Sequence, residues 1–378
     1  MRIAVNTRFL LSGKMEGFGW YTYEVVKRLV CAHPEHEFYF FFDRPYDAQY
    51  IFAKNVTPVV LNPPARHPIL FVYWFEIAVR RALKKHSIDL FFSPDGYLSL
   101  FSSAKQVITI HDINFEHHPK DLPLSVRIYL RYFFPRFARK ATEIITVSKY
   151  SMEDIHKVYG VETNRISYSW NGAADEYVPL DEDSVCEVRF KYSSGEPYFL
   201  FVGSIHPRKN LRRLLLAFSA FKKRSSQPMK LLLVGNYMWQ SDHVLQNIIK
   251  SLGDAVVLVG HLQKEELSRV TGAAFALTFV PYYEGFGIPI IEAMKCGVPV
   301  ICGNRTSLPE VAGDAALLCD PFNEEDICNR MIELSDNQIL YKDLVRRGLE
   351  RSKVFDWNIS ASHVWKVLER HLSPRKFI

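Results

Sequence analysis

No stretch of this 378-residue sequence approaches the ~18 apolar residues of a membrane span. The longest candidate, residues 69–79, carries Glu76 and is roughly half that length. The N-terminus, MRIAVNTRFL, reads as a strand and has neither an apolar signal region nor a cleavage site, so the expectation is a cytoplasmic protein. Six cysteines (Cys31, Cys186, Cys296, Cys302, Cys319, Cys328) are scattered, with no CxxC and no cysteine–histidine cluster at zinc spacing. They read as reduced thiols packed in cores, and no metal is expected. The charge excess is only +6, without a long basic run or a recognised nucleic-acid module. An anionic ligand or membrane surface is permitted; a nucleic-acid partner is not expected. A full GxGxxG is missing too. The stretch EGFGWYTYEVV (16–26) supplies Gly17 and Gly19, which allow close backbone approach, but has Thr22 where a third glycine would stand. The acidic triplet at 181–183 lies in a polar stretch rather than at a strand end, and reads as solvated charge.

What is present is a chain long enough for two domains. Apolar, β-branched runs fall at 3–9, 37–42, 56–61, 90–93, 107–111, 144–148 and 166–170. A second series falls at 198–203, 230–234, 255–259, 276–280, 298–302 and 316–319. Helical patterns fill most gaps. After Asn210, the residues Leu211, Leu214, Leu215, Phe218 and Phe221 share one face. Alternation of this kind predicts an α/β protein with two Rossmann-like domains, parallel sheets covered on both faces. The expected divisions are 1–175, 176–356 and a helical segment at 357–378 that could cross back onto the first domain. The polar stretch 173–197 is the expected break. Ligands of such sheets bind at the carboxyl ends of the strands, so two facing domains would make a cleft.

Two stretches carry the chemistry. In PYYEGFGIPIIEAMKCGVPV (281–300) a strand runs through a glycine bend into a helix, with Pro289 at the expected first helical position. The amides of Phe286, Gly287 and Ile288 would then face outward at a helix N-terminus, a site suited to phosphate. Glu284 stands at the same mouth, and Glu292 lies one turn further in, roughly 5 Å along the axis. Carboxylates hold vicinal hydroxyls, so a phosphate flanked by two of them describes a nucleotide-sugar. In FVGSIHPRKNL (201–211) a strand ends at Gly203 and Arg208 and Lys209 precede a helix with Asn210 as the expected N-cap, a diphosphate site. In ITIHDINFEHHP (108–119), His111 and Asp112 end a strand. The stretch 124–141 interleaves arginines with aromatics. It reads as a helix packed on the sheet, the preferred reading, or as a surface lying on an anionic membrane.

These residues resemble a known family. GFGWYTYEVVKRL, HDINFEHHP, TVSKYSMEDI, NGAADEYVP, VGSIHPRKNLRRLLLAF, YYEGFGIPIIEAMKCGVPVI, SLPEVAGDAALLCDP and FDW are together similar to the retaining family 4 glycosyltransferases of the GT-B fold, mannosyltransferase-like members above all. The resemblance implies a hexose, mannose by preference, moved from a nucleoside diphosphate-sugar (GDP-mannose or a UDP-sugar) to a glycan or lipid-linked acceptor in cell-surface polysaccharide synthesis. It implies no cofactor and no metal. Glu284 would face the donor sugar, Gly285, Phe286, Gly287 and Ile288 would meet sugar and diphosphate, and Glu292 would bind the ribose. Arg208 and Lys209 would neutralise the leaving diphosphate, with Gly203 and Ser204 beside them. His111 would sit over the transferred sugar, and Gly17 and Gly19 would line the donor and acceptor side from the first domain. Ser204 stands where many relatives carry arginine, which puts more weight on Arg208 and Lys209. An NAD-linked oxidoreductase, a nucleotide-sugar epimerase or isomerase on the same fold, and a non-catalytic donor-binding subunit compete with this reading. Cytoplasmic localisation, peripheral at the inner face of a membrane, is the matching expectation.

Overall fold

A computed structural model describes residues 1–13, 15, 17–204, 206–235 and 243–372. Its chain divides into two compact units, Met1–Asn171 together with the segment from Trp357, and Gly172–Asp356. Among the described residues the first unit holds strands β1 (Arg2–Asn6), β2 (Glu37–Phe42), β3 (Val56–Val60), β4 (Leu90–Ser93), β5 (Lys105–Thr109), β6 (Glu143–Thr146) and β7 (Ile166–Tyr168), in the spatial order β3-β2-β1-β4-β5-β6-β7. The second holds β8 (Tyr198–Val202), β9 (Lys230–Val234), β10 (Val256–Gly260), β11 (Ala276–Phe279), β12 (Val300–Gly303) and β13 (Leu317–Cys319), ordered β10-β9-β8-β11-β12-β13. Neighbouring strands run parallel, as between Phe199 and Ala276 or Ile3 and Leu90. Burial on both faces explains the unbroken apolar runs, such as Leu90, Phe91 and Phe92, each 0% exposed.

The helix Leu211–Arg224 buries Leu211, Leu214, Leu215, Phe218 and Phe221 against Phe199, Phe201, Leu231 and Leu233, as its periodicity predicts. The helix Trp357–His371 packs on Gly17–Ala32 within the first unit. Trp365 stacks on His33 at 3.5 Å between ring centroids, and Arg28 donates to Asn358 at 2.9 Å. The polar stretch read as a break begins where the two units divide, after Asn171, but its second half is not irregular. It forms the helix Glu182–Ser193 of the second unit, whose N-cap Asp181 accepts from the Ser184 amide at 2.8 Å. The acidic triplet is therefore a cap and two first-turn acids, placed where the helix dipole favours negative charge. Among the described residues no helix is long and apolar enough to cross a membrane.

Candidate functional site

Strands β8 and β11 are neighbours at the point where the order of the second sheet reverses, so the loops that leave their carboxyl ends lie side by side. After β8 the chain turns at Gly203, makes a short 3₁₀ turn over Pro207–Lys209, and enters its helix through Asn210 in the left-handed conformation, φ 62°. Asn210 occupies the N-cap position, but its side chain does not cap. Its amide donates to the carbonyls of Val280 (3.0 Å) and Pro321 (2.6 Å), and its oxygen accepts from Arg213. The Tyr282 amide donates to the Arg208 carbonyl at 3.1 Å. The two loops are thus stitched together before any charge is considered.

The charges complete the joint. Arg208 Nη1 and Lys209 Nζ both reach Oε2 of Glu284, at 2.6 and 2.7 Å, with all three side chains largely buried. Burial alone would raise the Glu284 carboxyl, but the Arg208 and Lys209 cations outweigh it and hold it below the ordinary range. The triad therefore carries two positive charges and one negative. Lys209 also runs its stem beneath Gly203 and places Nζ 4.8 Å from the centre of the Phe279 ring. Ser204, next along, is exposed.

Beyond Glu284 the chain bends at Gly285 and Phe286, and Gly287 enters the helix Ile288–Lys295 at φ 104°, an angle that favours glycine. Pro289 is the second helical residue rather than the first, still inside the turn where proline removes no helical bond. The bend is held from behind by Ser307, 0% exposed, whose hydroxyl lies 2.9 Å from the Glu284 carbonyl and 3.1 Å from that of Phe286. Among the described residues no acceptor in the chain takes the amides of Phe286, Gly287 or Ile288. Amides at a helix N-terminus with no acceptor in the chain, and a cation pair on the loop next to it, are each the kind of group that holds an anion.

Glu292 sits in the same helix. Burial pushes its carboxyl up to about 7, although the Tyr177 hydroxyl and, more weakly, the Lys264 charge pull the other way. Tyr177, itself 1% exposed, is the hydrogen-bond partner that sequence reasoning missed. Its stretch, NGAADEYVP, was visible; its partner, far along the chain, was not.

The remaining expected residues belong to the first unit. His111 follows β5 and donates through Nε2 to the Pro94 carbonyl at 2.8 Å. Its ring meets Tyr21 edge-on at 4.6 Å and Phe18 at 4.8 Å, both on the helix that opens with Gly17. At Gly19 a side chain would have its Cβ 2.7 Å from the Phe9 carbonyl, so the close approach there is to the chain's own backbone. Around Gly17 there is open space, and Glu16 lies outside the described residues.

Comparison with known proteins places this geometry in context. Residues 187–351 match the family described as glycosyl transferases group 1, and residues 15–177 match glycosyltransferase family 4. The chain is 30% identical over 359 residues to O-antigen chain mannosyltransferase B of Escherichia coli, covering 91% of this chain and 93% of that protein. Among solved structures it is similar to sucrose-phosphate synthase from Thermosynechococcus elongatus (TM-score 0.79, 20% identity, 98% of each chain). It is similar also to Anabaena Alr3699/HepE in complex with UDP and glucose (TM-score 0.77, 16% identity, 98% of this chain and 100% of that one).

Proposed function

Because the chain belongs to the group 1, family 4 glycosyltransferases, we propose that it moves a hexose from a nucleoside diphosphate-sugar to a hydroxyl of a glycan or lipid-linked acceptor in surface polysaccharide synthesis, with retention at the anomeric carbon. Mannose is the preferred sugar, supported by the mannosyltransferase that shares 30% of its residues with this chain. The observation that carries the reading is the pairing of Arg208 and Lys209 on Glu284 beside the open amides of 286–288.

In this reading the second unit takes the donor. The amides and the two cations hold the diphosphate, Glu284 faces the sugar, and Gly203 and Ser204 line the same loop. The bond from the anomeric carbon to the phosphate oxygen breaks as the acceptor oxygen bonds to that carbon, and the acceptor proton passes to the departing phosphate. The negative charge that grows on the diphosphate is met by groups already fixed in place, with no cofactor or metal. His111 meets the transferred sugar, and in the first unit Gly17, with open space around it, lines the donor and acceptor side, whereas Gly19 is closed against the Phe9 carbonyl. Incubation with GDP-mannose or UDP-sugars, with and without glycan acceptors, tests this. Acceptor-dependent release of nucleoside diphosphate together with a longer glycan supports transfer. Conversion of the nucleotide-sugar without any acceptor would instead mark an isomerase.

Glu292 accepts the ribose hydroxyls in this scheme, and only its ionised form is a strong acceptor. Its raised pKa gives the sign: donor affinity rises with pH through about 7 as the carboxyl ionises. Glu292→Gln should weaken nucleoside diphosphate binding and flatten that rise, read by titration calorimetry on either side of neutrality. An unchanged pH profile in the variant would count against the role, and would assign the slope to the ligand's own phosphate.

The acceptor's chemistry bears on the helix Leu124–Lys140, which carries Arg127, Arg131, Arg136, Arg139 and Lys140 and no acidic residue. One face buries Tyr129, Leu130, Phe134 and Phe137 in the core, as the packed-helix reading expects. Spacing of four residues brings Leu124, Ile128 and Tyr132 to another face, where they are 60%, 60% and 53% exposed. This outer face rests on an anionic membrane in our reading, with the aromatic and aliphatic tips in the interface and the exposed Arg139 and Lys140 on lipid phosphates, while Arg131 stays on Glu116 at 3.0 Å. The protein should sediment with phosphatidylglycerol-containing vesicles, less so at raised salt, and Leu124→Asp/Ile128→Asp/Tyr132→Asp should abolish this. Equal binding by the triple variant, or none by the wild type, would refute it.

A further inference from the structure

We propose that Arg8 and Asp95 are positioning residues that fix the orientation and tautomer of His111 through the carbonyl of Pro94, the residue before Asp95. The inference rests on the reading of His111 as a group that meets the transferred sugar.

Strands β1 and β4 are neighbours where the order of the first sheet reverses, the same topological place that holds the cation pair in the second. At their carboxyl ends lies an ion pair, Arg8 Nε to Asp95 Oδ2 at 2.7 Å, with the side chains 4% and 1% exposed. The Asp95 carboxylate also accepts from Asn6 Nδ2 (2.9 Å to each oxygen), from the Ser93 hydroxyl (2.9 Å) and from the Tyr97 amide (3.3 Å). The Arg8 guanidinium lies within reach of four rings, 4.3 Å from the centre of Tyr97, 4.8 Å from Phe9, 5.1 Å from Phe71 and 5.3 Å from Phe75. A buried pair so fully satisfied adds little net stability over apolar packing of the same volume, because desolvation offsets the attraction. What it supplies is a unique geometry.

That geometry is delivered to His111. Ser93 and Asp95, both held in the network, flank Pro94, so the carbonyl between them is clamped from both sides. A carbonyl only accepts, so His111 must carry its proton on Nε2 to make the 2.8 Å contact. In the neutral ring Nδ1 is then the lone-pair nitrogen. Burial favours the neutral ring, lowering its pKa despite the Pro94 bond and the nearby Asp112 and Asp95 charges. Tyr21 and Phe18 close on the ring itself, and the Tyr21 hydroxyl is anchored 3.3 Å from Thr109 Oγ1. The imidazole is thus set with one nitrogen committed and the other offered.

The test is nitrogen-resolved NMR of the His111 ring, with turnover measured alongside. The wild type should show a single neutral tautomer protonated at Nε2. Asp95→Asn, which keeps the size but removes the charge, should mix the tautomers. It should also lower turnover by about 10²-fold, the scale of a misplaced reacting group, with donor KM little changed. In a His111→Ala background the same change should cost nothing further, since the residues act as one unit. Ser93→Ala provides a milder variant should Asp95→Asn not fold, and should shift the same ring signals. Unchanged His111 signals in the folded variants, or an equal loss of turnover with and without His111, would overturn the proposal. Full activity of His111→Ala with tautomers that still respond to Asp95→Asn would instead remove His111 from the reaction and leave the positioning intact.

Discussion

Lys209→Ala lowers turnover by about 10²-fold or more, and Arg208→Ala does the same, the scale of losing one preorganised oxyanion donor. Single-turnover measurements at saturating donor would read the loss directly, and near-normal turnover in both variants would refute the role. The two cations differ in kind: lysine offers a point charge, arginine a planar fork, so neither substitutes for the other. Their shared contact with Glu284 adds a second expectation. Removing one cation leaves the carboxylate paired with the other. Removing both leaves a carboxylate that is only 14% exposed without its counter-charges, so the double variant should lose more stability than the two single losses together. Equilibrium unfolding of the three variants checks this, and simple additivity would show that Glu284 finds another partner.

Gly235→Ala should be the most damaging small substitution near the site, destabilising by about 3 kcal/mol or more through backbone strain and overpacking together. Gly235 follows β9 at φ 147°, and a Cβ there would lie 2.0 Å from the Gly203 carbonyl oxygen and 2.7 Å from its carbon. Backbone cannot swing aside as a side chain can. Gly203 starts the loop that carries Arg208 and Lys209, so any relief must displace the cations. Denaturant titration gives the stability loss, and turnover of the folded fraction should fall with it. Gly195→Ala is the control: φ is 86° but nothing stands within 4 Å of the added atom, so strain alone, about 1 kcal/mol, is expected. Equal effects at the two positions would show that the contact with Gly203 is relieved elsewhere.

The sheets were legible because strands buried on both faces must be apolar throughout. Glu37–Phe42, Leu90–Ser93 and Lys230–Val234 follow the apolar runs from end to end. Edges were lost where backbone pairing and apolar character part company. β5 begins at Lys105, because Lys105 and Gln106 pair with Leu90 and Phe91 through main chain alone. β1 stops at Asn6, short of the expected Phe9, where Asn6 and Arg8 turn their side chains to Asp95. The helix Glu182–Ser193 was hidden by its polarity, Val188 being one of only two residues it buries.

Of the candidate site, what lies close in sequence was readable: a glycine bend between two glutamates, and two cations before a helix. What joins those pieces was not. The grip of Arg208 and Lys209 on Glu284, the Ser307 hydroxyl behind the bend and the Tyr177 hydroxyl on Glu292 all link distant segments, and no local period announces such contacts.

In the proposed mechanism the 208–209 cations and the 286–288 amides recognise a diphosphate. Titration calorimetry that compares a nucleoside diphosphate with its parent nucleoside isolates that recognition. The wild type should bind the diphosphate far more tightly, and Arg208→Ala/Lys209→Ala, where folded, should lose most of that difference while keeping its weak affinity for the nucleoside. A preference for the diphosphate that survives in the double variant would show that other groups hold it.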